Sequence, residues 1–267
     1  MVLKEAKVVK NMNKTTESSS TLELWEAHLH GLVSKHAWLA NAAPEELALV
    51  RERVSPLRLA ACWYHFSVFA ADFLCLALPL LENPVNRCYI AQTANEELGC
   101  GDPQQVHSVL LLEALAEAGL DQHTILSYPT LDIDQVLEAL KQQLLSAKND
   151  HEIAGFFLGF ELLAEHNICH VFECLKPQVS SREELLQTPY FEEHFKVEPA
   201  HIRRAITLGM NSCAYDYQIK SMLDKFHYTI SFWNHFWGVV HQEISNSGVG
   251  QFTKIGAGLG EALMPKI

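Results

Sequence analysis

Residues 151–175 read HEIAGFFLGFELLAEHNICHVFECL. Apolar residues recur every three to four positions across the stretch and no proline interrupts it, so it predicts one long α-helix. Its apolar content is nearly continuous around the helix, which places it in the middle of a bundle. Gly155 and Gly159 stand one turn apart and would let a neighbouring helix approach closely. Glu161 falls between Phe160 and Leu162, with Phe156, Phe157 and Leu158 just before. An ionised carboxylate buried alone is costly, so Glu161 must be paired, protonated or metal-bound, unless it opens onto a solvent groove between helices.

The same period extends outward in both directions. It predicts helices over 22–35, 44–53, 56–82, 85–99, 103–118, 133–147, 181–187, 189–196, 200–222 and 224–245, and nothing alternates strictly enough to read as a strand. Ser55-Pro56 and Asp102-Pro103 each put a capping residue before a proline at the first helical position. Gly99 and Gly101 end one helix, and Lys176-Pro177 closes the long one. Residues 1–20 are polar and aperiodic and read as a flexible tail; 247–267 are glycine-rich and read as a loose C-terminal tail. Neither a repeat nor a linker divides the rest. The expected architecture is all-α, a single helical domain over 21–246.

Composition narrows the function. The 267 residues are 48% hydrophobic and 19% charged, a globular balance, with a net charge of −12. That charge argues against nucleic acid and against an anionic membrane surface, both of which need clustered Lys and Arg. Seven cysteines are scattered without a CxxC pair, which is neither a disulfide framework nor a zinc cage. The first twenty residues lack the apolar run of a signal peptide, and the most apolar stretch, Leu74 to Leu81, is too short to span a bilayer. A cytoplasmic protein is expected.

Function should lie where polar groups interrupt apolar faces. Glu97 shares a helix face with Ile90 and Ala94, while Glu96 lies on a more polar flank with Tyr89 and Gln92. His107 follows Glu97 by ten residues across a Gly-Cys-Gly-Asp-Pro break, and a tight turn there can bring the pair together. His194, Glu198 and His201 fall at i, i+4 and i+7, one stripe of a regular helix. Two imidazoles and a carboxylate suit Fe(II), Mn(II) or Zn(II). Each feature alone has a plainer reading: a solvated carboxylate for Glu97, a polar helix face for the histidine stripe. Together, Glu97, His107, Glu161, His194, Glu198 and His201 make six donors on separated helices, and three carboxylates nearly balance two divalent cations.

At these residues the chain resembles the haem-oxygenase-like diiron oxidases and oxygenases, helical relatives of the thiaminase-type and pyrroloquinoline-quinone-synthase proteins. The resemblance covers residues 22–245. It rests on Glu97 and His107 around ELGCGDPQQVH, on Glu161 in GFFLGFELL, and on His194, Glu198 and His201. Glu198 departs from the pattern, where an aspartate is usual. The resemblance implies two Fe(II) ions, with Mn acceptable at one site, and dioxygen as co-substrate. It also implies a small amine-, amino-acid- or fatty-acid-like substrate that undergoes N-oxygenation or oxidative C–C cleavage in specialised-metabolite biosynthesis. An external electron donor and a homodimer are compatible with it.

Further residues have weaker claims. Tyr64, His65, Tyr89, Arg203, Tyr215 and Lys220 are candidate pocket groups, and His166 and His170 could support the ligands. His28, His30 and His36 could offer a haem ligand, but that would leave the six donors unexplained. Two alternatives differ in class. A metal-free thiaminase-like hydrolase would need an activated thiol, with Cys213 or Cys169 as nucleophile; a non-enzymatic helical binding module would need neither. One local expectation concerns Pro199. It disfavours helix at Glu198, so His194 should end one helix and Glu198 cap the next, leaving a weaker second metal position.

Overall fold

Helix Asp150–Leu175 is unbroken and runs through the centre of the molecule, capped at its start by the side chain of Asn149, which accepts from the Glu152 amide. The computed structural model describes residues 18–176 and 181–242, without the side chains of 18–21 and 198. The chain order is α1 (Ser18–His36), α2 (Trp38–Asn41), α3 (Pro44–Arg53), α4 (Pro56–Ala77), α5 (Pro84–Glu97), α6 (His107–Glu117), α7 (Gln122–Ser127), α8 (Leu131–Leu145), α9 (Asp150–Leu175), α10 (Arg182–Leu186), α11 (Pro189–Ser212) and α12 (Asp216–Val240). No strand occurs among the described residues. The expected all-α bundle is what forms. Most of the N-terminal tail and all of 247–267 lie outside the described residues.

The core is one continuous cluster in which α9 packs chiefly against α12 and α11. Its two glycines make the first of these contacts. A Cβ built on Gly155 would lie 2.2 Å from the Met222 carbonyl oxygen, and one on Gly159 would lie 2.4 Å from Thr229 Cβ. Both distances are far inside contact range, so the α9 backbone lies directly against the α12 backbone at Gly155 and against the Thr229 side chain at Gly159. Gly159→Ala is therefore expected to lower stability by roughly 1–3 kcal/mol through overpacking. Urea unfolding measures it; an unchanged midpoint would mean that α12 moves aside freely.

Segment Pro56–Leu80 is apolar enough, by length and composition, to cross a bilayer. More than half of its most apolar window is buried inside the bundle. That is how a core helix behaves, and it is capped as expected by Ser55, which accepts from the Arg58 amide.

Three boundaries differ from the sequence expectation. First, Pro199 does not break the chain: α11 continues from Pro189 to Ser212 with the proline inside it. Pro199 is exposed, so the carbonyl that loses its N–H partner sits where water can serve it. The buried face of α11, with Phe191, His194, His201, Ile202, Ala205 and Ile206, holds the helix together. Second, the next break comes at Cys213–Tyr215, not near 223; there the Gln218 side chain accepts from the Ala214 and Tyr215 amides. Third, 103–118 is not one helix but a 3-10 turn, Pro103–Gln105, followed by α6. The short helix α7 was not anticipated.

Candidate metal centre

Glu97 is the last residue of α5, and the chain then reverses within a few residues. Gly99, Cys100 and Gly101 all have positive φ, at 76°, 53° and 91°. A Cβ on Gly99 would lie 2.6 Å from the Gln105 carbonyl carbon, so only glycine lets the loop fold back on itself. Asp102 then caps the 3-10 turn by accepting from the Gln104 amide at 2.9 Å. The result starts α6 with His107 beside Glu97, Nδ1 to Oε2 at 2.8 Å. The pair is close yet not aligned as a hydrogen bond, and His107 Nδ1 is buried with none.

His194 comes from α11. Its ring centre is 4.5 Å from that of His107, and its Nδ1 donates to the Tyr190 carbonyl at 2.7 Å. That bond leaves the lone pair on Nε2. One donor atom each from Glu97, His107 and His194 lie within 4.8 Å of one another. Donors about 2.1 Å from one ion stand at most about 4.2 Å apart, so a small contraction brings all three onto a shared metal.

Two turns along α11, His201 is 2% exposed and sits between two carboxylates. Its Nε2 meets Glu96 Oε2 at 2.8 Å, and its Nδ1 faces Glu161 Oε2 at 3.6 Å. The first is a hydrogen bond. The second is long for one but suits two donors around an ion. Glu96 is itself gripped by Arg204, with Nη1 2.8 Å from Oε1 and Nη2 against Oε2. Glu96 was read from sequence as a polar flank; it is instead the carboxylate that fixes the ring of His201. Arg204, one turn beyond His201 on the same helix, was the available signal for it. Glu96→Gln keeps the shape but loses the charge, and is expected to weaken metal binding roughly 10–100-fold while the helical signal stays. A competitive metal titration measures this, and an unchanged affinity would remove Glu96 from the assignment.

Electrostatics keep two of the donors, Glu97 and His194, in their binding forms. Burial pushes the Glu97 carboxyl up, but the imidazoles of His107, His194 and His201 outweigh it and hold it below the ordinary value. Burial pushes His194 down to about 4, against the pull of Glu97, so the ring is neutral at neutral pH. Arg204 and, after the opposing cost of burial, His201 hold Glu96 down at about 2.

The structure thus brings together five of the six expected residues: Glu97, His107 and His194 in one group, Glu161 and His201 in a second. Glu97, Glu161, His194 and His201 also line one cavity of about 80 Å³, whose other walls are largely aromatic, including Trp63, Phe66, Phe160 and Trp233. Glu198 stands in the helix one turn after His194, but its side chain lies outside the described residues. Because α11 is unbroken, the two histidines are held by one rigid piece rather than by two. Imidazoles and carboxylates in this ratio suit divalent iron, and His107 Nδ1, buried against Glu97 without an aligned hydrogen bond, is the kind of atom a metal satisfies.

The weaker candidates do not reach this cavity. His65 pairs with Asp134 at 3.0 Å on an outer groove, Tyr215 is exposed, and Lys220 pairs with Asp224. Tyr89 lines a small cleft behind Glu161 and His201. His170 packs on His241 and Trp237, away from the ligands.

Comparison with known proteins agrees with this reading of the fold. A CADD-like protein of unknown function from Nostoc punctiforme superposes with a TM-score of 0.65 at 14% identity, over 83% of this chain and 97% of that one. A domain of unknown function with a haem-oxygenase-like fold, from Shewanella denitrificans, gives 0.61 at 15% identity, over 89% and 98%. No curated protein matches in sequence. Residues 57–233 match the family described as iron-containing redox enzymes, a span that holds Glu97, His107, Glu161, His194 and His201. This all-α chain therefore belongs to the iron-containing redox enzymes of haem-oxygenase-like fold.

Proposed function

We propose that the chain is a non-haem diiron enzyme that uses dioxygen to oxidise a small molecule, by N-oxygenation or oxidative C–C cleavage. One observation carries the reading: two groups of His and Glu donors meet at the same aromatic cavity, which Glu97 of α5, Glu161 of α9, and His194 and His201 of α11 line. Glu97, His107 and His194 would hold one iron and Glu161 and His201 the other, and Glu198, one turn after His194 in sequence, is the sixth donor of the proposal. Bound ferrous iron supplies the electrons and the coordination site that dioxygen reduction needs.

The chain's own residues supply the rest. The Tyr190 carbonyl fixes the His194 tautomer, and Glu96 with Arg204 fixes that of His201. The aromatic walls keep bulk water from the reacting groups. The competing hydrolase has no nucleophile in place: Cys213 is buried and its thiol is pushed up to about 12, and neither it nor Cys169 lines the cavity. A cytoplasmic setting and an external electron donor belong to the same proposal.

Anaerobic titration with Fe(II) tests it. Two ions per chain are expected, followed by an absorption transient and oxygen uptake when the loaded protein meets dioxygen in a stopped-flow cell. A well-folded protein that takes up no iron would sink the reading.

A further inference from the structure

Asn167 is 1% exposed and lines the cavity beside the donor groups, on the same helix α9 as Phe160 and Ala164. Its amide is oriented from behind. Trp237 Nε1 donates to Asn167 Oδ1 at 2.8 Å. An indole N–H can only donate, so the atom facing it must be the oxygen, and this settles which way the amide points. The other end, Nδ2, is buried and has no hydrogen-bond partner in the protein. A buried donor of that kind costs about 1–3 kcal/mol when unmet, and the residue that carries it lines the cavity, so an acceptor placed against this wall by a slight opening of the side chain would satisfy it.

The remaining lining restricts what can carry that acceptor. Neither lysine nor arginine lines the cavity, and its carboxylates are the donors Glu97 and Glu161. Once those bind iron, a free ammonium on the substrate would find no counter-charge, and a free carboxylate would find none except the metal. Burying either unpaired is costly. Outside the metal donors, the other uncharged polar groups on the wall are Ser67, Tyr190 and the Trp233 indole N–H, which is also buried without a hydrogen-bond partner and could share the same acceptor; the rest is Trp63, Phe, Leu, Ile and Ala.

We propose that Asn167 Nδ2 is a substrate-binding group, and that the substrate enters as an uncharged, apolar-bodied molecule whose carbonyl-type oxygen accepts from it. This rests on the diiron reading for the exclusion of cations, because iron must engage Glu97 and Glu161; the hydrogen bond from Asn167 itself needs no metal. It narrows the substrate away from free amino acids and protonated amines. The cavity is small, so the reacting end of a longer molecule, rather than a whole large one, is what fits.

Four probes of similar size separate the possibilities: diethyl ketone, pentane, butylammonium and butanoate. Binding is read by the fluorescence of Trp63 and Trp233, which line the cavity, on as-purified protein whose metal content is measured in parallel. Diethyl ketone is expected to bind about tenfold tighter than pentane, the worth of one hydrogen bond in a dry site. Both ions are expected to bind more weakly than the ketone. Asn167→Asp keeps the acceptor for Trp237 but replaces the free donor with an oxygen, and should erase or reverse the preference for the ketone. Equal affinity of ketone and pentane in the wild-type protein overturns the proposal without need of the variant. So does tighter binding of either ion by iron-bearing protein, or no binding of any probe. Failure to take up iron, with the ketone preference intact, would fall on the diiron reading alone.

Discussion

A chain carrying His194→Ala is expected to keep its helical signal and to lose iron at the site that Glu97 and His107 share. His194 contributes one of the three donors that the described residues bring to that group, and its ring is already set for coordination, because Nδ1 is tied to Tyr190 and Nε2 is presented without further ordering. Loss of a residue that merely orients a ligand costs roughly 10–100-fold in affinity, so loss of the ligand itself should exceed about 100-fold. Oxygen-dependent turnover should fall with it. The fold tolerates the change because α11 is anchored by Phe191, Ile202, Ala205 and Ile206 on the same buried face. The protein could even gain stability when metal-free, since a desolvated imidazole is removed from beside another. Elemental analysis and circular dichroism on the same preparation separate the two effects. Wild-type iron content in the variant would exclude His194 as a ligand; a collapsed helical signal would make it a structural residue.

How much of this was legible before the structure differs from element to element. Helix α9 was, because twenty-five residues of sustained periodicity outweigh any local ambiguity, and Gly155 and Gly159 do bring α12 into contact. The Glu97–His107 turn was, because glycines on both sides of Cys100 permit few conformations other than a reversal. Pro199 misled for an instructive reason. Its rule is local, and a helix end costs more than one lost hydrogen bond when it would expose an apolar stripe running on both sides of it. Glu96 and Asn167 could not be found by a search for carboxylates on apolar faces. Their roles come from Arg204 and Trp237, partners 108 and 70 positions away, and only the fold brings these together.

Acidifying the metal-free protein from pH 6.5 toward 4.5 is expected to destabilise it, with much of the loss traceable to one histidine pair. His170 and His241 meet at 3.1 Å, Nε2 to Nε2, between the rings of Trp38 and Trp237. Burial, then the neighbouring His241 and Arg51, hold His170 well below its ordinary value. Burial, then Arg58, push His241 down to about 3. Both rings are therefore neutral in the folded protein and take up protons on unfolding below about 6.5. The unfolded chain binds more protons in that window, so stability rises with pH and is lost as pH falls. For each ring the slope is about 1.4 kcal/mol per pH unit. Glu96 cannot account for losses at this stage: its pull to about 2 costs stability only below its ordinary value of 4.5. His151, His166, His194 and His235, all held low by burial, add to the same slope, which is why the pair must be removed to identify its share. The double variant His170→Leu, His241→Leu replaces two polar rings that satisfy each other, and strands only the weak thiol donor of Cys174, 3.7 Å from His170 Nε2. Urea unfolding at several pH values should show its stability falling less steeply than the wild type between 6.5 and 4.5, with the two proteins parallel above about 7. Equal slopes in the acid window would mean that the pair is already open to solvent, and that the neutral, buried state assigned to it is wrong.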